Sequence, residues 1–110
     1  MSDEALIRLD DIEDGGSARV GGDGRTDHGL MVLRRGEAVF VYANRCPHVG
    51  LPLDFKPGQF LDPDGTLIQC SNHGAQFQID DGVCVFGPCI GRDLDAVAVE
   101  VRDGAGYRVD

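Results

Sequence analysis

The apolar residues of this chain come in runs too short to wind into helices, and almost every run stops at a glycine turn. No window of helical length places apolar residues at helical spacing between capping residues. Residues 6–9, 17–20, 30–33, 38–42, 67–69, 75–79, 83–86, 96–102 and 107–109 read instead as short strands. Between them stand turn formers: Gly15-Gly16, Arg34-Arg35-Gly36-Glu37, Pro57-Gly58, Asp62-Pro63-Asp64-Gly65, Asp81-Gly82 and Asp103-Gly104. Glycine supplies left-handed backbone and proline presets φ, so each cluster reverses the chain. The 30–33 and 38–42 pair has the form of a β-hairpin. Eight or more short strands at this spacing predict an all-β sandwich or barrel.

At 110 residues the chain is expected to form a single domain, residues 1–110. Hydrophobic residues make up 42%, but there is no Trp and only two Tyr and five Phe. The core is therefore modest, and a centre that ties loops together would add stability. No stretch approaches the roughly 18 apolar residues of a membrane helix, and the start Met1-Ser2-Asp3-Glu4 lacks an apolar signal. The expectation is a cytoplasmic protein with no membrane partner. Four cysteines in such a chain point to metal or redox chemistry rather than to a secreted disulfide framework. A net charge of −9 argues against nucleic acid, whose phosphates need the opposite sign. It suits either transient docking on a basic patch or simply a well-solvated surface.

Cys46-Pro47-His48 and Cys70-Ser71-Asn72-His73 hold two of the four cysteines and two of the three histidines. Each patch follows a predicted strand, and residues 44–90 read as a unit inserted between the outer strands. Two thiolates and two imidazoles on two loops suit one metal site at a junction of hairpins. Zinc is one candidate, but its ligand pairs are normally spaced by about two to four residues, so that both donors reach one ion. Cys46 and His48 have a single residue between them. That spacing is awkward for one ion. It works when each residue addresses a different iron, as in a 2Fe–2S centre where two His replace two Cys. His28, the remaining histidine, sits beside Asp27 and Gly29 and reads as a surface residue.

The stretches Cys46-Pro47-His48-Val49-Gly50-Leu51-Pro52-Leu53 and Cys70-Ser71-Asn72-His73-Gly74-Ala75-Gln76-Phe77 closely resemble the two cluster-binding boxes of Rieske-type ferredoxins. Asp81-Gly82 and Gly87-Pro88 sit where that family has a turn after the second box and a proline loop over the cluster. The resemblance is specific over about residues 37–95. It implies an antiparallel β-sandwich with a small cluster-binding subdomain, about residues 44–90, and one Rieske-type 2Fe–2S cluster. It also implies the ligand set: Cys46 and Cys70 on the buried iron, His48 and His73 on the outer iron near the surface. With neutral imidazoles, the ferric ions, sulfides and thiolates sum to zero charge, so adding an electron is easier than in an all-thiolate cluster. Pro47, Gly50, Gly74 and Pro88 would shape the loops.

The Rieske subunits of respiratory cytochrome bc complexes add a second Cys to each box, joined as a disulfide. Here Leu51 and Asn72 stand at those places. Those proteins also place Ser and Tyr hydroxyls after the second box, where this chain has Ala75 and Phe77. Hydrogen bonds to the sulfurs stabilise the reduced state, so their absence predicts the low end of the Rieske range, roughly −150 to 0 mV. A Rieske oxygenase needs a further iron held by two His and a carboxylate, and only His28 is left for it. The chain therefore reads as an electron carrier and not an enzyme. The implied partners are a flavin-dependent reductase as donor and a terminal oxygenase or similar redox enzyme as acceptor. Two alternatives stay open: a small subunit of an assimilatory nitrite reductase, and a Cys2His2 zinc-binding domain. Cys84 and Cys89 are either buried free thiols, the commoner cytosolic state, or a local disulfide.

Overall fold

A computed structural model of the chain describes residues 5–21, 29–45, 47, 53–54, 58–70, 74–87 and 90–109. Among them nine strands form: β1 (Ile7–Arg8), β2 (Ser17–Val20), β3 (Leu30–Arg35), β4 (Ala38–Ala43), β5 (Leu67–Gln69), β6 (Gln76–Gln78), β7 (Cys84–Phe86), β8 (Val99–Arg102) and β9 (Ala105–Arg108). They pair antiparallel in three sheets of three, in the orders β2-β3-β4, β5-β6-β7 and β1-β9-β8. The one helical element among the described residues is a 3-10 turn, Leu9–Asp11. The all-β expectation is met.

Alternation along β3 and β4 sets the layering. Met31, Leu33 and Tyr42, with Phe40 packed against them, share a core with Phe60, Ile68 and Phe77 beneath the β5-β6-β7 sheet. Val32, Val39 and Val41 point the other way, onto Leu9 and Ile12, with Ile7 of β1 and Val99 of β8 packed alongside. The β2-β3-β4 sheet is thus the middle layer of the sandwich. A sheet covered on both faces reads as continuous apolar sequence, which is why Leu30-Met31-Val32-Leu33 lacks polar alternation. Phe60 and Phe77 are fully buried, and such burial contributes about 1.5–3 kcal/mol per side chain.

Several strand bounds differ from the sequence expectation: β9 runs over Ala105–Arg108 against the expected 107–109, and three other differences have a clear cause. Of the 6–9 run only Ile7–Arg8 is strand, although Leu6 N–H and Leu9 N–H still donate to Gly106 O and Gly104 O. Leu9 turns inward, and Arg34 Nη1 donates to the carbonyls of Leu9 (2.9 Å) and Ile12 (2.8 Å), holding the 3-10 turn in place. The hairpin runs further than its apolar residues, through Arg34 and Arg35, so that Arg35 pairs with Ala38 across a two-residue turn. The 96–102 run is split. Ala96 bridges Tyr42 and Val97 N–H donates to Val41 O at 2.8 Å, so its first half crosses onto β4 before β8 begins at Val99. The 103–104 turn forms as expected: Asp103 and Gly104 have φ of 52° and 75°, both positive as a type I′ turn requires.

Candidate metal centre

Strand β5 delivers Cys70 into the main core, where its side chain is fully buried beside Ile68, Ala75 and Phe77. The loop after it closes on its own backbone. Cys70 N–H donates to Ala75 O at 2.8 Å, and Gly74 N–H donates to Cys70 O at 2.9 Å. A soft thiolate donor at a strand end, shielded from water and held by main-chain bonds, fits an iron–sulfur ligand. Cys46, His48 and His73 lie outside the described residues, as do His28 and Cys89. Among the described residues, accordingly, no three His, Cys, Asp or Glu are placed to hold a metal ion together.

The first patch is flanked by polar structure that the sequence did not announce. Asn44, the last residue but one before Cys46, is buried, and its side chain bonds both Leu53 N–H and the Asp54 carboxylate, each at 2.9 Å. Asp54 also accepts Gly58 N–H at 3.0 Å and lies 3.6 Å from Arg19 Nη1 on β2. Nothing in Leu53-Asp54 marks that aspartate as buried, because its cation lies far back in the sequence. A buried carboxylate is tolerated only where such partners meet it.

The segment following β7 reaches toward both patches. Gly87 lies against the residue that closes the second loop: a Cβ there would come 2.8 Å from Ala75 Cα, and its φ is +95°. Both facts demand glycine. Further on, Arg92 Nη1 donates to Pro47 O at 3.3 Å, between Cys46 and His48 in sequence. Phe86 at the end of β7 and Ile90 beyond it are exposed. Cys84 is a free, buried thiol whose Sγ donates to Phe86 O at 3.3 Å. Ala75 and Phe77 are fully buried and carry no hydroxyl.

Tyr42 ties the middle sheet to the sheet carrying Cys70. Its hydroxyl donates to Ile79 O at 2.6 Å, and Leu94 N–H donates to Gly82 O nearby at 3.0 Å. Burial, with the carboxylates of Asp81 and then Asp80 adding to it, pushes the phenol up to about 12 from its usual 10.0.

The fold that buries the Cys70 thiol between two antiparallel sheets is matched by comparison with known proteins. Residues 5–101 match the family described as Rieske [2Fe-2S] domain. The chain belongs to the Rieske family. Its redox group is a Rieske-type 2Fe–2S cluster, and it is an electron-transfer protein rather than an enzyme. Among solved structures, this Rieske domain is similar to the Sphingomonas yanoikuyae B1 ferredoxin, with 27% identity over 99% of each chain and a TM-score of 0.74. It is similar to the ferredoxin of carbazole 1,9a-dioxygenase from Nocardioides aromaticivorans IC177, with 25% identity over 94% of this chain and 92% of that one, at a TM-score of 0.72. A structure described as the complex of reduced oxygenase and oxidized ferredoxin in carbazole 1,9a-dioxygenase matches at 27% identity, over 96% of this chain and 90% of that one, at a TM-score of 0.73. No curated protein matches. Among the described residues no helix is long and apolar enough to cross a membrane.

Proposed function

We propose that this Rieske domain is a cytoplasmic one-electron carrier, reduced by a flavin-dependent reductase and oxidised by a terminal oxygenase or a similar redox enzyme. The observation that carries the reading is likeness to a ferredoxin through 99% of both chains. Likeness to the ferredoxin component of a carbazole dioxygenase, and to one in complex with its oxygenase, favours an oxygenase as the acceptor. In this reading Cys46 and Cys70 hold one iron, His48 and His73 the other, and residues 44–90 form the cluster-binding part of a single domain. The bound cluster supplies one reversible electron.

The chain's own residues set the terms of that exchange. Buried Cys70 presents its sulfur away from water, and Gly74 and Ala75 close the loop behind it. Ala75 and Phe77 offer no hydroxyl to a sulfur, which keeps the potential low, roughly −150 to 0 mV. Phe86 and Ile90 give the segment beside both boxes an apolar surface on which an acceptor protein can seat. Iron and acid-labile sulfide analysis with visible and EPR spectra tests the assignment. Cys70→Ala is expected to lose the cluster, and His73→Cys to keep it at a lower potential. A normal cluster in Cys70→Ala would sink the ligand set, and a midpoint above roughly +200 mV would sink the low-potential reading.

A further inference from the structure

Asn44 and Leu53 bracket the first box, and one buried side chain joins them. Asn44 Oδ1 accepts Leu53 N–H at 2.9 Å, while Asn44 Nδ2 donates to Asp54 Oδ1 at 2.9 Å. The second Asp54 oxygen accepts Gly58 N–H at 3.0 Å and faces Arg19 Nη1 of β2 at 3.6 Å. The Asn44 main chain is anchored too, its N–H donating to Gly29 O at 3.1 Å. At the second box, Cys70 N–H donates to Ala75 O at 2.8 Å, a main-chain bond across the loop.

Burying an amide and a carboxylate carries a desolvation cost that an apolar pair of the same size avoids. An apolar pair would fill the space. It would not grip a main-chain N–H at the exit of the box while standing at its entrance. We propose that Asn44 and Asp54 are positioning residues for the cluster, a buried latch that joins the two ends of the first box and so sets where that box presents its ligands. The proposal rests on the ligand assignment above. In this proposal each acts through the loop that carries Cys46 and His48, not as a ligand.

The test uses the cluster-loaded protein and reads two quantities, the rate of iron loss to an excess of chelator and the midpoint potential. Arg34→Ala is the control, since it removes hydrogen bonds to Leu9 and Ile12 beside the second core, across the middle sheet from Cys70. Asn44→Ala and Asn44→Asp are expected to lose iron about tenfold faster than wild type or more, the usual scale for residues that support metal ligands, and to shift the midpoint. Arg34→Ala should lower thermal stability and leave both quantities near wild type. The exchange Asn44→Asp with Asp54→Asn restores all three hydrogen bonds, with the donor between the two side chains reversed. It gives up only the 3.6 Å pairing of Arg19 with residue 54. The new carboxylate accepts Leu53 N–H and the new amide, whose oxygen accepts Gly58 N–H. That double variant should recover slow iron loss. A single variant that accumulates without a cluster, beside a loaded double variant, supports the latch equally. Single variants that match Arg34→Ala, or a double variant no better than Asn44→Asp, overturn it. A wild-type protein that binds no iron and sulfide would take down the ligand assignment and the latch together.

Discussion

Tyr42 owes its chemistry to residues far along the chain. Its hydroxyl reaches Ile79 O at 2.6 Å, and burial with Asp81 and Asp80 raises its pKa to about 12. The folded phenol therefore keeps its proton between pH 10 and 12, where the unfolded chain gives it up. Stability from this source is intact below pH 10 and is lost as pH rises toward 12. Tyr42→Phe should cost about 1–2 kcal/mol at neutral pH, since Ile79 O loses its donor, and should remove this alkaline limb. Urea unfolding of both proteins at pH 9 and pH 11 checks it: the gap between them should narrow at the higher pH, and a constant gap would contradict the assignment. At this scale the sequence is legible only where residue type is rare and patterned. Cys70 declares itself by spacing from a histidine. Asn44, Asp54 and Tyr42 do not, because their burial depends on Arg19, Leu53 and Ile79, partners that no local pattern links to them.

Turns were easier to read than strand ends. The Asp103-Gly104 and Gly36-Glu37 reversals follow from residues that prefer them, and β2 falls where apolar and polar residues alternate. Strand ends depend on pairing instead. The 6–9 run leaves the strand at Leu9, where Arg34 captures the Leu9 and Ile12 carbonyls, and the 96–102 run divides because β4 claims its first half. The end of β7 is the element on which the candidate site leans most. Gly87 sits at φ +95° with no room for a methyl group beside Ala75 Cα. Gly87→Ala should therefore force β7 away from the second box, at a cost of about 1–3 kcal/mol from backbone strain alone. Thermal unfolding together with visible absorption of the loaded protein reads both consequences. Gly104→Ala serves as the comparison, because a Cβ there meets nothing within 4 Å while its φ of +75° is strained as well. Equal cluster retention in the two variants would show that the close approach to Ala75 has no bearing on the site.

On the scale of the whole molecule, exposed acids are spread over the surface, with Asp80, Asp81, Asp93 and Asp95 on the cluster side as well. The exposed acids Asp10, Asp11, Glu13 and Asp14 stand beside Leu9 and Ile12 of the second core, across the middle sheet from Cys70. Near the first box the exposed Arg45 and Arg92 carry the opposite sign, and Phe86 and Ile90 are apolar. A net charge of −9 acts at long range on encounter, whereas exposed Phe86 and Ile90 can act only at contact. Screening separates the two contributions, because the Debye length falls from about 30 Å at 0.01 M salt to about 8 Å at 0.15 M. With a basic acceptor, the second-order transfer rate should drop across that interval and then level off, since apolar contact is indifferent to further salt. Phe86→Ser and Ile90→Ser should lower the rate at every salt concentration and leave the midpoint potential in place. Stopped-flow oxidation of the reduced protein measures both effects. A flat salt profile would remove steering by the net charge. A decline that continues well beyond 0.15 M would mean that charged side chains, rather than Phe86 and Ile90, make the contact.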